Sequence, residues 1–127
     1  MSRGEMWEGF EMRRPPSPEE KAARERLRTP LVVTRHQGLV EYICNLWEYD
    51  PRDLQVIAHA TEDDVRGRVV FGVLPLRLAA AAREVIEVPL DIPPDLRGVE
   101  LTLEQVEQYA GAPRIYSVEC LGEVEFE

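Results

Sequence analysis

From Leu31 onward, short apolar runs alternate with stretches whose apolar residues recur at helical spacing, and this alternation does most to limit the folds open to the chain. It is the pattern of βα units laid on a mostly parallel sheet. Residues 31–34 read as a buried strand, Gly38 as punctuation, and Leu39, Val40, Ile43, Leu46 and Trp47 as one helical face. Residues 55–59 read as a second strand, and Thr61-Glu62-Asp63-Asp64 as a capped turn leading through Arg66-Gly67 into a third strand, residues 68–73. Residues 76–83 form an alanine-rich helix able to lie close to its neighbour, and residues 84–89 a fourth strand. Pro93-Pro94 opens a rigid loop, and Thr102-Leu103-Glu104-Gln105 caps a helix running to about Tyr109. Residues 114–121 read as a last strand, which the alternating acidic and apolar tail, 123–127, is able to extend at an edge. The expected fold class is α/β: a single Rossmann-like domain with flanking helices.

The 127 residues leave room for one domain, since domains run to roughly 100–200 residues. Three parts are expected: an extension over residues 1–29, the α/β body over 30–121, and an acidic tail over 122–127. Within the extension, Ser17 caps, Pro18 occupies the first turn, and Glu19 and Glu20 complement the helix dipole. A short solvated helix over Pro18–Arg28 follows, with only Leu27 to dock it, while Met6, Trp7, Phe10 and Met12 are candidates for packing on the body or a partner.

The formal charge of −9 is unevenly distributed. Residues 1–30 carry seven basic and six acidic side chains, so the body holds eight arginines against eighteen acids, about −10. Long nucleic acid is bound by neutralising many phosphates over an extended basic surface, which such a body lacks. A small anion needs only two or three arginines and the N–H groups of a helix start. The chain shows neither an apolar run long enough to span a membrane nor an apolar signal segment, so a cytoplasmic protein without membrane contact is expected. Cys44 and Cys120 have no metal-ligand spacing and read as core thiols.

In open parallel sheets ligands bind beyond the carboxyl ends of the strands, so the residues just after the first three strands are the leading candidates for function. Thr34, Arg35, His36, Gln37 and Gly38 follow strand one and precede a helix start, where free N–H groups and the helix dipole attract phosphate and Arg35 adds a bidentate fork. The plain alternative is a loop that these side chains merely cap and solvate. The glycine spacing matches neither a dinucleotide fingerprint nor a P-loop, so no cofactor is expected. Gly72, Leu74 and Pro75 follow strand three, and Arg77 sits in the next helix's first turn, where a cation is unfavourable unless an anion shares the site. His59 follows strand two; with Arg35 or His36 it is a candidate general acid, or equally a structural hydrogen-bonding residue. No metal set is expected, because Glu62, Asp63 and Asp64 share a turn with no histidine at ligand spacing.

The strings VVTRHQGLVEYI (32–43), VIAHATEDDVRGRVVFGVLPLRLAA (56–80) and VPLDIPPDLRGVELTLEQVEQY (88–109) together resemble a small stand-alone CRISPR-associated family. That family accompanies type III CRISPR systems, is related to the CARF domains that bind cyclic oligoadenylates, and its members are regarded as ring nucleases. The resemblance covers about residues 31–118. It implies a CARF-like Rossmann fold, a homodimer, and one cyclic oligoadenylate, most simply the tetra-adenylate, held across the two-fold axis. The matching positions that it implies for binding are Thr34, Arg35, His36, Gly38, Gly72, Leu74 and Pro75. Cleavage without a metal is then chemically open, by attack of a ribose 2′-hydroxyl on the adjacent phosphorus. On that expectation Arg35 binds phosphate, His36 acts as general acid or donor with His59 as its substitute, and Gln37 and Arg77 support the ligand. Two other functions fit the same residues: a sensor or sponge that binds the ring uncut, and a subunit that docks on a CRISPR effector.

Overall fold

In the computed structural model, which describes residues 15–126, Leu31–Val33 (β1) is flanked on both sides by parallel strands, Gln55–Ile57 (β2) and Val69–Phe71 (β3). Glu84–Glu87 (β4) continues the parallel set, and Arg114–Tyr116 (β5) closes it in the antiparallel sense, giving the order β2-β1-β3-β4-β5. The helices are Pro18–Arg28 (α1), Gln37–Trp47 (α2), Glu62–Val65 (α3), Leu76–Ala81 (α4) and Leu103–Tyr109 (α5). This is a Rossmann-like α/β sheet.

The central strands β1, β3 and β4 are buried on both faces while the edge strands β2 and β5 are largely exposed, and the period of two divides the core. Val32, Phe71 and Ile86 point to one side, where they meet Leu39, Val40 and Ile43 of α2 and Val106 of α5. Leu31, Val70 and Val85 point to the other, against Val65 of α3 and Leu78 and Ala79 of α4. Trp47 packs edge-on to Phe71 with ring centroids 4.9 Å apart. The capping expectations hold: Ser17, Thr61 and Thr102 each close a capping box with Glu20, Asp64 and Gln105 respectively.

Several expectations need correction. The last strand stops at Tyr116, and among the described residues neither 117–121 nor the tail joins the sheet, since the chain beyond Tyr116 pairs with no strand. The alanine-rich helix ends at Ala81, two residues early. Cys44 is buried, and burial pushes its thiol above the usual range, but Cys120 is exposed on the unpaired segment. Arg68 is not a strand residue; it sits just before β3 and is only 1% exposed. Its guanidinium donates to Gln55 Oε1 at 2.8 Å, to the Asp64 carbonyl at 3.3 Å and to the Thr29 carbonyl at 2.9 Å, and desolvation depresses its pKa. Helix α1 buries no residue, as its composition implies, yet Arg26 reaches the Asp63 carbonyl at 2.8 Å. Met6, Trp7, Phe10 and Met12 lie outside the described residues. Among the described residues no helix is long and apolar enough to cross a membrane.

Candidate functional site

The strand order creates a switch point. Helix α2 leaves β1 for one face of the sheet and α4 leaves β3 for the other, so a crevice opens between the carboxyl ends of these adjacent strands. A cavity of about 440 Å³ occupies it, within the range of roughly 300–1,000 Å³ usual for small-molecule sites. Thr34 and His36 enter from β1, Gly72 from β3, and Glu87 from the end of β4; Leu39 and Phe71 supply apolar floor.

The local chain sets these positions. Thr34 Oγ1 accepts the His36 N–H at 3.1 Å, a tight turn that delivers His36 to the N-cap of α2. The His36 ring does not cap its own helix. Its Nδ1 accepts the Leu101 N–H at 3.1 Å, so the neutral ring carries its proton on Nε2. Gly72 has φ 149°, and a Cβ there would meet the Val33 carbonyl oxygen at 2.8 Å, so bare backbone lines this wall.

The remaining candidates separate. Arg35 and His59, both exposed, meet beside the crevice with Nη2 3.0 Å from Nε2; as guanidinium only donates, His59 accepts there. Gln37 and Gly38 border a different, shallow cleft with Glu41 and Glu100, and the Gln37 N–H points to Glu100 Oε1 at 3.5 Å. A carboxylate thus already attends the helix start where phosphate was expected. Gly38 has a packing reason of its own: a Cβ would lie 2.5 Å from the Leu101 carbonyl oxygen, so its absence lets α2 rest on the start of α5. Leu74 packs against the core cluster that includes Leu78 and Ala79 of α4, Pro75 occupies the N-cap position of that helix without a capping hydrogen bond, and Arg77 faces a separate groove beside the C-terminal segment.

Glu87 was missed. The signal available was its place at the end of the fourth strand, but only the strand order makes β4 a neighbour of the crevice.

A family described as "Putative CRISPR-associated protein (Cas_VVA1548)" matches residues 31–119. The chain belongs to this family. The matched span opens at β1 and closes beyond β5, so every member of the Cas_VVA1548 crevice lies inside it, whereas α1 and residues 120–126 fall outside. Association with CRISPR systems, expected from the three strings, is therefore established at the level of the family. Neither the curated proteins nor the solved structures provide a match.

Proposed function

We propose that this protein binds a cyclic oligoadenylate in the β1/β3 crevice and opens the ring, ending a type III CRISPR signal. The observation that carries this reading is a crevice at the switch point of a Rossmann-like sheet, where Thr34, His36 and Glu87 converge over an apolar floor, in a CRISPR-associated family member. The CARF-like resemblance of the same stretch supplies the ligand class. One crevice of about 440 Å³ suits part of such a ring, so two copies related by a two-fold axis would share it, as a symmetric ligand favours.

In this mechanism the 2′-oxygen of one ribose attacks the neighbouring phosphorus as the P–O5′ bond breaks, leaving a 2′,3′-cyclic phosphate. The Glu87 carboxylate takes the hydroxyl proton, and water supplies the proton gained by the departing 5′-oxygen. Thr34 and the Nε2–H of His36 stabilise the phosphate oxygens, where charge builds in the transition state. Arg35, beside the crevice, adds charge-assisted binding present throughout the reaction. His36 is thus assigned hydrogen-bond donation in place of proton transfer: the ring that accepts from Leu101 has only Nε2–H to offer, and losing it would leave an imidazolate.

One observation favours binding without cleavage. His36 Nδ1 and His59 Nε2 are both occupied as acceptors, so neither histidine is poised as an acid. The products decide. Cyclic tetra- and hexa-adenylate, incubated with the protein in the presence of a chelator and then chromatographed, come back linear from a ring nuclease and intact from a sponge. Failure to retain either ring would remove the proposal in both forms.

A further inference from the structure

The crevice wall formed by Glu87, Val88, Pro89 and Leu90 is backed by residues 109–114. Glu87 is the cross-strand partner of Arg114, Leu90 bridges Ala110, the Gly111 N–H donates to the Pro89 carbonyl at 2.8 Å, and the Asp91 N–H donates to the Tyr109 carbonyl at 3.0 Å. Because β5 runs antiparallel to β4, its first residue stands at the carboxyl end of β4, on the edge of the sheet where the crevice opens. Directly opposed residues of an antiparallel pair project from one face with Cβ atoms about 4.5–5.5 Å apart, so the Arg114 side chain leaves the sheet beside Glu87. Arg114 is exposed and, among the described residues, takes part in no ion pair. A phosphate-bearing ligand needs such a cation there. Among the described residues that line the crevice there is no lysine or arginine, and Glu87 makes its wall negative.

We infer that Arg114 is a second phosphate-binding residue of this crevice, engaging a different phosphate from Arg35. The inference rests on the reading of the crevice as a cyclic oligoadenylate site and deepens it. In the order β2-β1-β3-β4-β5, Arg35 follows β1 and Arg114 opens β5, three strand spacings away, or about 14 Å. The Arg35 guanidinium meets His59, which follows β2 on the side of β1 remote from β5, and this contact widens the gap. A single phosphate does not bridge it; two phosphates of one ring do. Two phosphates held by each protomer account for the four of cyclic tetra-adenylate in a two-fold dimer, and leave two of the six in cyclic hexa-adenylate without an arginine.

The test is binding of cyclic tetra-adenylate to the full chain at several salt concentrations, with wild type compared to Arg114→Ala, Arg114→Lys, Arg35→Ala and the double alanine variant. Each substitution changes an exposed side chain, and unchanged thermal melting checks that the fold is intact. Arg114→Ala should raise the dissociation constant at least about tenfold and lower the slope of log affinity against log salt by about 0.7, the loss of one phosphate contact. Lysine keeps the charge but not the fork, so it should recover the slope and part of the affinity. Contacts to separate phosphates add in free energy, so the two alanine losses should multiply in the double variant. Ring affinity indifferent to Arg114→Ala overturns the inference, and so does weakening without a change of slope, which would mean that Arg114 acts through the Glu87 wall. A double variant no weaker than the worse single one would put both guanidinium groups on one phosphate and overturn the assignment of two. Wild-type protein that retains no ring defeats the underlying reading, and the inference with it, before any variant is compared.

Discussion

The guanidinium of buried Arg68 donates to the carbonyl oxygen of Thr29 at 2.9 Å, joining the end of the N-terminal extension to the sheet. The next carbonyl, that of Pro30, accepts the Gln55 N–H at 3.0 Å and starts the β1/β2 edge. A chain beginning at Thr29 keeps both acceptors and loses, among the described residues, a helix with no buried residue and the exposed bond from Arg26 to the Asp63 carbonyl. One beginning at Leu31 leaves a buried charged donor short of a partner, a loss of about 1.5–3 kcal/mol. Calorimetry should find the first truncation close to the full chain and the second lower in Tm by at least about 5 °C. Equal melting of the two would mean that Arg68 finds another acceptor.

His36 distinguishes donation from proton transfer. If its Nε2–H stabilises a phosphate oxygen, His36→Ala should slow single-turnover cleavage by about 10²–10³-fold. His36→Gln places an amide N–H near the same point and should recover part of that loss. A general acid would leave Gln as inactive as Ala. Arg35→Ala should raise the dissociation constant with a smaller effect on the saturated rate, because its contact exists before and during reaction.

Gly38 separates packing from ligand contact. An added Cβ meets backbone of residues 101–103 at 2.5–2.8 Å, where no flexible side chain can give way. Gly38→Ala should therefore cost about 1–3 kcal/mol, as overpacking does, seen as a lower urea midpoint without ligand. An alanine variant of wild-type stability but weakened ring binding would return Gly38 to the phosphate site.

The acid limb of stability should carry a contribution from Asp64. The Thr61 backbone N–H, which donates to Asp64 Oδ2 at 2.7 Å, is the first cause holding its pKa below the usual 3.8, with the Thr61 side chain second. A carboxylate depressed in the folded state stabilises above the unfolded pKa, and that contribution is lost as pH falls through the lower folded value. Asp64→Asn should consequently flatten the loss of stability below about pH 4, measured by denaturant unfolding across that range. An unchanged acid limb would show that the capping bond persists in the unfolded chain.

Much of the fold is legible because its signals are local. The buried strands announce themselves in apolar runs such as Leu31-Val32-Val33, and the capping boxes at Ser17, Thr61 and Thr102 need only residues three apart. The local pattern extends the last strand to residue 121 because Val118 and Leu121 carry strand-like composition, while pairing, which stops at Tyr116, depends on a neighbour that the local pattern does not name. Of the site, the crevice walls at Thr34, His36 and Gly72 follow from the rule for strand ends. Glu87 does not.

By itself, then, the sequence determined the class of fold, the helix starts and the loops after β1 and β3 as places to look, because each depends on periodicity or on hydrogen bonds within a few residues. Only the tertiary structure decided which candidates meet. It turned Gln37 and Gly38 toward Glu100 and the start of α5, gave Arg77 to a different groove, paired Arg35 with His59, and brought the Leu101 N–H to His36 across 65 positions. Those relations depend on strand order and helix packing, which are long-range choices that no local window contains.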